Sequence, residues 1–370
     1  MVATATEYAD DLLAVGRAAG LDATGIASAS VLDRARAALD ERKAAGLHDG
    51  MAFTYRNPAR ATEPARLLAG ARAIVVGARS YRRQQPARPA GLSRPAGRVA
   101  RYAWTDHYAA LRASLGAVAE RLRADGHRAR VVADDNGLVD REVAYRAGIG
   151  WFGKNANLLL PGQGSWFVLG AVVTTAELPP ARVTVADGCG TCQRCVDGCP
   201  TGAIIAPGVV DAGRCLAWLV QKPGVFPRQY RRALGDRIYG CDDCQEVCPP
   251  NQRTERRHPA PPADDAHQAW VPLLELLAAD DATLLARHGR WYIPQRDPRW
   301  LRRNALIALG NTADPDDPAV GAALDAALHD ADPTLRAHAV WAARRLGRDD
   351  LVGTLAGDPD PDVRAELDAR

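Results

Sequence analysis

Eight cysteines, all between residues 189 and 248 of a 370-residue chain, constrain this sequence more than any other feature. They run Cys189, Cys192, Cys195 and Cys199-Pro200, then Cys215 alone, then Cys241, Cys244 and Cys248-Pro249. The first run has the spacing that wraps one 4Fe–4S cube and sends its fourth cysteine to a second cube. The other run carries Val247 beside Cys248 and is one ligand short, a vacancy that Cys215 fills. Two sets of four follow. Cys189, Cys192, Cys195 and Cys248 hold one cluster; Cys199, Cys215, Cys241 and Cys244 hold the other. Structural zinc also favours paired knuckles of this kind, but gives no reason for two three-residue steps into Cys-Pro. Disulfides need an oxidising compartment, and the N-terminus MVATATEYADDLLAVG has acids where an export signal has bases before an apolar core. Two cubes on crossed loops would make an electron wire.

The rest of the chain is too long for one ordinary core, so two or three domains are expected. Its 47% hydrophobic and 25% charged residues are those of a soluble protein. No apolar run approaches membrane-spanning length. A cytoplasmic protein with no membrane contact is the expectation. The net charge of +3 does not by itself argue for nucleic acid, but its distribution is uneven. Residues 79–101 carry Arg79, Arg82, Arg83, Arg88, Arg94, Arg98 and Arg101 with no acid. Residues 216–240, between Cys215 and Cys241, carry Lys222, Arg228, Arg231, Arg232 and Arg237 against a single Asp236. Such patches suit a phosphate backbone; a solvated basic surface is the other reading.

The first 180 residues alternate helix and strand, as in an α/β or α+β domain. A helix opens near Ser30 and Asp33 and runs toward Gly46. Residues 72–78 read as a buried strand. Thr105 begins a helix whose apolar positions Tyr108, Leu111, Leu115, Val118 and Leu122 step by three and four. The strand HRARVVAD follows, then a short helix around 138–147 and a strand near 166–174. The glycine turn Gly148, Gly150, Gly153 resembles a phosphate cradle only loosely. Toward the C-terminus, the hexapeptide Leu301-Arg302-Arg303-Asn304-Ala305-Leu306 recurs at Leu335 and, shortened, at Val363, each copy preceded by Asp-Pro. Proline-opened amphipathic helices at this period suggest HEAT-like hairpins, with a plain helical cap as the alternative. Three segments result: 1–180 α/β, 181–255 a bacterial ferredoxin-like double-cluster domain, and 256–370 helical repeat.

Several segments resemble the epoxyqueuosine reductases: Arg101-Tyr102-Ala103-Trp104, Val139-Asp140-Arg141, Gly148-Ile149-Gly150-Trp151-Phe152-Gly153-Lys154, Gly164-Ser165-Trp166 and Ile238-Tyr239-Gly240-Cys241-Asp242-Asp243-Cys244-Gln245. The resemblance runs from about residue 10 to 345 and implies a two-electron reduction of the epoxide at the tRNA wobble base, with loss of water. It implies two 4Fe–4S clusters, a cobalamin held by a domain similar to that of reductive dehalogenases, and a monomer that binds the tRNA anticodon stem-loop. It further implies a low-potential electron donor such as flavodoxin or ferredoxin. Only the resemblance brings in cobalamin. The D-x-H-x-x-G signature is absent, since Asp265-Ala266-His267 lacks the following glycine.

By position in the family, Asp134 is the proton donor. It closes a strand at the carboxyl end, where open α/β sheets place ligands, and neighbouring Asp135 would raise a carboxyl pKa by repulsion. A helix N-cap is the alternative role. The family loop places Lys154 and Asn155 against the cofactor, Arg60 matches with a one-residue gap, and Cys241 and Asp242 would face the corrinoid. Lys222, Arg228, Arg231 and Arg232 fall where the family touches tRNA. The chain departs from the family at Ala133-Asp134-Asp135-Asn136-Gly137 and at Asp106-His107-Tyr108, which puts the substrate's identity in question. A corrinoid reductase for another small molecule and an electron-transfer module without its own substrate remain alternatives.

Overall fold

The computed structural model describes residues 4–89, 95–265 and 269–369, so Arg94 of the basic stretch and His267 lie outside the described residues. The chain forms two compact units, one from residues 1–83, 106–213 and 243–261, the other from 84–105, 214–242 and 262–370. Each unit is discontinuous in sequence, because strands and helices from distant parts of the chain complete each core.

A four-stranded sheet organises the first unit, in the order Ala23–Ser28, Ala73–Ser80, Phe167–Thr174, Ala129–Ala133, with every neighbouring pair antiparallel. The fold is therefore of mixed α and β content, and the rule for parallel sheets that was invoked for Asp134 does not apply. One face of the sheet buries Ile74, Val76, Val132, Ala171 and Val173 against Val143 and Ala144 of the helix Asp140–Arg146. Across the other face runs the helix His107–Ala124, whose buried Leu111, Leu115, Val118 and Leu122 follow the predicted three-four spacing. A Cβ added at Gly77 or Gly170 would lie 3.1 or 2.8 Å from Leu115, so glycine lets this helix sit close to the strands. Asp106, not Thr105, caps the helix by accepting from the Ala109 N–H at 2.8 Å.

In the second unit Ala96–Val99 is the middle strand of three, parallel to Arg237–Tyr239 and antiparallel to Trp270–Pro272. Its core joins Trp104, Phe226, Ile238 and Leu273 to Leu301, Leu306, Val340 and Trp341 of the C-terminal helices. Each repeat copy forms a helix: Arg299–Thr312, Pro333–Arg345 and Pro361–Asp368. Asp332 and Asp360 cap the second and third, each with proline in the first turn where no donor is missed. A further Asp-Pro helix, Pro318–Leu328, lies between copies and was not read from the repeat. No helix among the described residues is long and apolar enough to cross a membrane.

Candidate functional site: a four-cysteine cavity and a carboxylate group

Cys189, Cys192, Cys195 and Cys248, the first predicted set, line one cavity of about 170 Å³ together with Gly188, Lys154, Asn155 and Arg253. Local structure explains the convergence. Cys195 sits in the single-turn helix Arg194–Asp197, and Cys248 is the N-cap of the helix Pro249–Arg257. At Cys248-Pro249 proline occupies the first helical turn without losing a needed hydrogen bond, whereas Pro200 lies in a turn beyond the helix Arg194–Asp197. All eight cysteines are free thiols. Burial raises the Cys248 thiol to about 11, helped by Cys195, Cys189 and Cys192; burial and Cys189 also raise that of Cys195. A bound cation would favour the thiolate form of both. Four thiolates around one cavity are the donor set that a 4Fe–4S cube takes.

Cys199 and Cys244 belong to the same unit. The Ala203 N–H donates to Cys199 Sγ at 3.2 Å, and Asn155 Nδ2 donates to the Cys244 carbonyl at 3.3 Å. Asn155 is 6% exposed and also accepts from the Asn157 N–H, so it braces the cysteine loops from within. The turn Gly148–Gly153 is not a phosphate cradle. A Cβ at Gly150 would approach the Leu159 carbonyl to 2.4 Å, so these glycines let the chain pack on itself.

Asp134 stands at the turn after the strand Ala129–Ala133 with φ +55°, a left-handed conformation that aspartate tolerates better than most residues. It is not a helix cap. The next helix starts at Asp140 behind Val139, and Asp135 is the residue that closes the turn by accepting from the Gly137 N–H. Although Asp134 is exposed, the surrounding protein desolvates its carboxyl and raises its pKa; Arg112 opposes this, and Asp106 and Asp135 add to it. The predicted repulsion from Asp135 is thus present but secondary. The sequence reading missed Asp140. One of its oxygens is buried without a hydrogen-bond partner, and burial lifts the carboxyl to about 8 against the pull of Arg141. Asp134 and Asp135 push in the same direction. Burial raises the Tyr108 hydroxyl, and Asp140 and Asp134 add to it. Both segments that depart from the family pattern therefore meet around one group of acids.

The remaining candidates fall as follows. Arg60 is exposed on the short helix Pro58–Thr62. Asp242 is 7% exposed and accepts from the Arg101 N–H at 2.8 Å, joining two of the family-like segments; Cys241 is half-buried against the same core. Lys222 is half-buried, Arg228 and Arg232 are exposed. Arg231 is a correction. It is fully buried, 2.7 Å from Glu366 and over the Trp341 ring, so it serves the core and offers nothing to a nucleic acid.

Converging free thiols in this pattern define an iron–sulfur protein, and a 4Fe–4S double cluster binding domain model matches residues 188–251. A second model, described as epoxyqueuosine reductase QueG, DUF1730, matches residues 61–135. The epoxyqueuosine reductases of Bacillus anthracis and Xanthomonas campestris are 34% and 35% identical to this chain, each over 92% of it and over 89% and 97% of their own lengths. A solved epoxyqueuosine reductase bound to an epoxyqueuosine-modified tRNA-Tyr stem loop superposes with a TM-score of 0.87 at 30% identity, covering 98% of both chains. Another, from Bacillus subtilis with its catalytic aspartate loop swung out of the active site, gives 0.86 at 29% identity, again over 98% of both. The chain belongs to the epoxyqueuosine reductase family.

Proposed function

We propose that this protein reduces the epoxide of epoxyqueuosine at the tRNA wobble position to the alkene of queuosine. The observation that carries the reading is a full-length likeness to a reductase solved with its modified tRNA stem loop, in a chain that also brings four thiols to one cavity. The balanced change takes up two electrons and two protons and releases one water. Two 4Fe–4S clusters would be held by Cys189, Cys192, Cys195 and Cys248 and by Cys199, Cys215, Cys241 and Cys244. Cobalamin would lie against Lys154, Arg60, Cys241 and Asp242, with Asn155 bracing the loop behind. A small cavity lined by Tyr81, Arg141, Asn157, Ser165 and Gln245, with Leu158, Phe167 and Leu169, offers polar groups to which the amide arms of such a corrinoid would bond. When bound, these groups supply low-potential electrons and a nucleophilic cobalt.

The chain's own contribution is placement and protons. Asp134, exposed at the tip of its turn and with a raised pKa, gives a proton to the oxygen released as the C–O bond breaks. Lys222, Arg228 and Arg232 meet the backbone of the anticodon stem-loop, and the C-terminal helices form a HEAT-like extension. Flavodoxin or ferredoxin serves as donor to a monomer in the cytoplasm. Expression in a bacterial strain lacking its own epoxyqueuosine reductase tests the assignment. Queuosine should reappear in the tRNA; continued accumulation of epoxyqueuosine by a strain making soluble, iron-loaded protein would overturn it.

A further inference from the structure

The chain segments next to Cys215 and Cys241 are both bonded to the helix Arg299–Thr312. Cys215 is the N-cap of Leu216–Leu219, a helix of one turn, too short to hold itself. Its final carbonyls have no helical partner and need donors from elsewhere. Those donors come from the helix Arg299–Thr312. Arg303, 1% exposed, gives Nη2 to the carbonyls of Leu219 at 3.0 Å and Val220 at 3.4 Å, and Nη1 to those of Lys222 at 2.6 Å and Gly224 at 2.7 Å. Asn304, fully buried, accepts from Arg303 through Oδ1 at 2.9 and 3.1 Å. Its Nδ2 then donates to two chains at once: the Val220 carbonyl at 2.8 Å and the Ile238 carbonyl at 3.0 Å. Val220 ends the helix that Cys215 begins, and Ile238 lies in the strand Arg237–Tyr239 that leads into Cys241. One amide therefore ties the Cys215 segment to the Cys241 segment.

We infer that Arg303 and Asn304 are positioning residues for the second iron–sulfur cluster, so that the C-terminal helical region builds a metal site to which it contributes no ligand. The inference rests on the assignment of Cys215 and Cys241 to that cluster. Burying this guanidinium beside Phe226 and Trp300 costs desolvation energy that its bonds to carbonyl and amide oxygens offset only while the bonded loop keeps this geometry. The same helix supplies an internal control. Asn311 Nδ2 also bridges two carbonyls, of Arg231 at 2.8 Å and Gly235 at 3.1 Å, but neither belongs to a cysteine's own helix or strand.

The test is Asn304→Asp in the full chain, purified without oxygen, measured for iron, acid-labile sulfide and the paramagnetic resonance of each reduced cluster. Aspartate keeps the acceptor for Arg303 and removes both donations to the cysteine segments. The expected result is loss of half the iron and sulfide, with the signal of the cluster on Cys189, Cys192, Cys195 and Cys248 unchanged. Asn311→Ala should keep full iron and both signals. Full iron with an unaltered second signal in Asn304→Asp overturns the inference, as does equal iron loss in Asn311→Ala. Should Asn304→Asp fail to fold, Arg303→Lys is judged by the same criteria, since it retains the cation and loses the fork. Failure of the ligand assignment reads differently: Cys215→Ser would then keep all its iron.

Discussion

Glu366 offers a test of both the fold and the correction at Arg231. Their contact is 2.7 Å, with the arginine side chain 0% and the glutamate 8% exposed. Glu366→Gln leaves a cation enclosed with no counter-charge, which costs about 3–5 kcal/mol. The second partner of Glu366, Arg228, is 39% exposed at 3.2 Å and contributes less than about 1 kcal/mol. For a cooperative unit of this size, about 2–4 °C per kcal/mol gives a fall in melting temperature of about 10 °C. Circular dichroism of oxygen-free holoenzyme at neutral pH would measure it. Arg231→Met with Glu366→Leu removes both charges together and should recover most of the loss. Because Arg231 lies in the core, that double variant should also bind the modified stem loop with wild-type affinity. A Glu366→Gln protein that melts within about 2 °C of wild type would refute the energetic argument. Tenfold loss of stem-loop affinity in the double variant would refute the correction.

Three further outcomes are expected. Asp134→Asn should retain full iron while turnover falls by about 10²–10⁴-fold, measured by mass spectrometry of the tRNA nucleosides; full activity would remove Asp134 from the chemistry. Asp140, lifted to about 8, favours its protonated form in the fold, so its contribution is fully present below its ordinary value near 3.8 and is lost as pH climbs toward 8. At about 1.4 kcal/mol for every tenfold change in proton affinity, Asp140→Asn should visibly flatten the decline in urea midpoint between pH 5 and pH 8, and an unchanged decline would count against the buried acid. Arg232→Ala should weaken stem-loop binding and reduce the slope of log affinity against log salt by about 0.7–0.9, the share of one phosphate contact; an unchanged slope would place that contact elsewhere.

What the sequence made legible was whatever depends on spacing along the chain. Cysteine intervals picked out the four thiols that share a cavity, and three-four periodicity found the helix His107–Ala124. Asp-Pro at a repeating interval located the C-terminal helices. Relations set in three dimensions were hidden. Arg231 looked like one more member of a basic run because nothing local shows Glu366, 135 positions on, closing over it. Asp140 reads as an ordinary first-turn acid until the fold encloses one of its oxygens. The antiparallel order of the first sheet was equally unreadable, since strand direction depends on pairings between residues up to about a hundred positions apart. Arg303 and Asn304 were seen only as letters of a repeat, whereas their meaning lies in the carbonyls they reach.

The strand Ala96–Val99 has consequences for how such a protein is made. Its two neighbours are Arg237–Tyr239 and Trp270–Pro272, so an early piece of the polypeptide waits unpartnered while the ribosome adds well over a hundred residues. Neither Cys215 nor Cys241 can be locked by Asn304 until that residue too has emerged. On the proposed assignment of those thiols to a cluster, cofactor loading there follows the emergence of Asn304 and is a late step in making the chain.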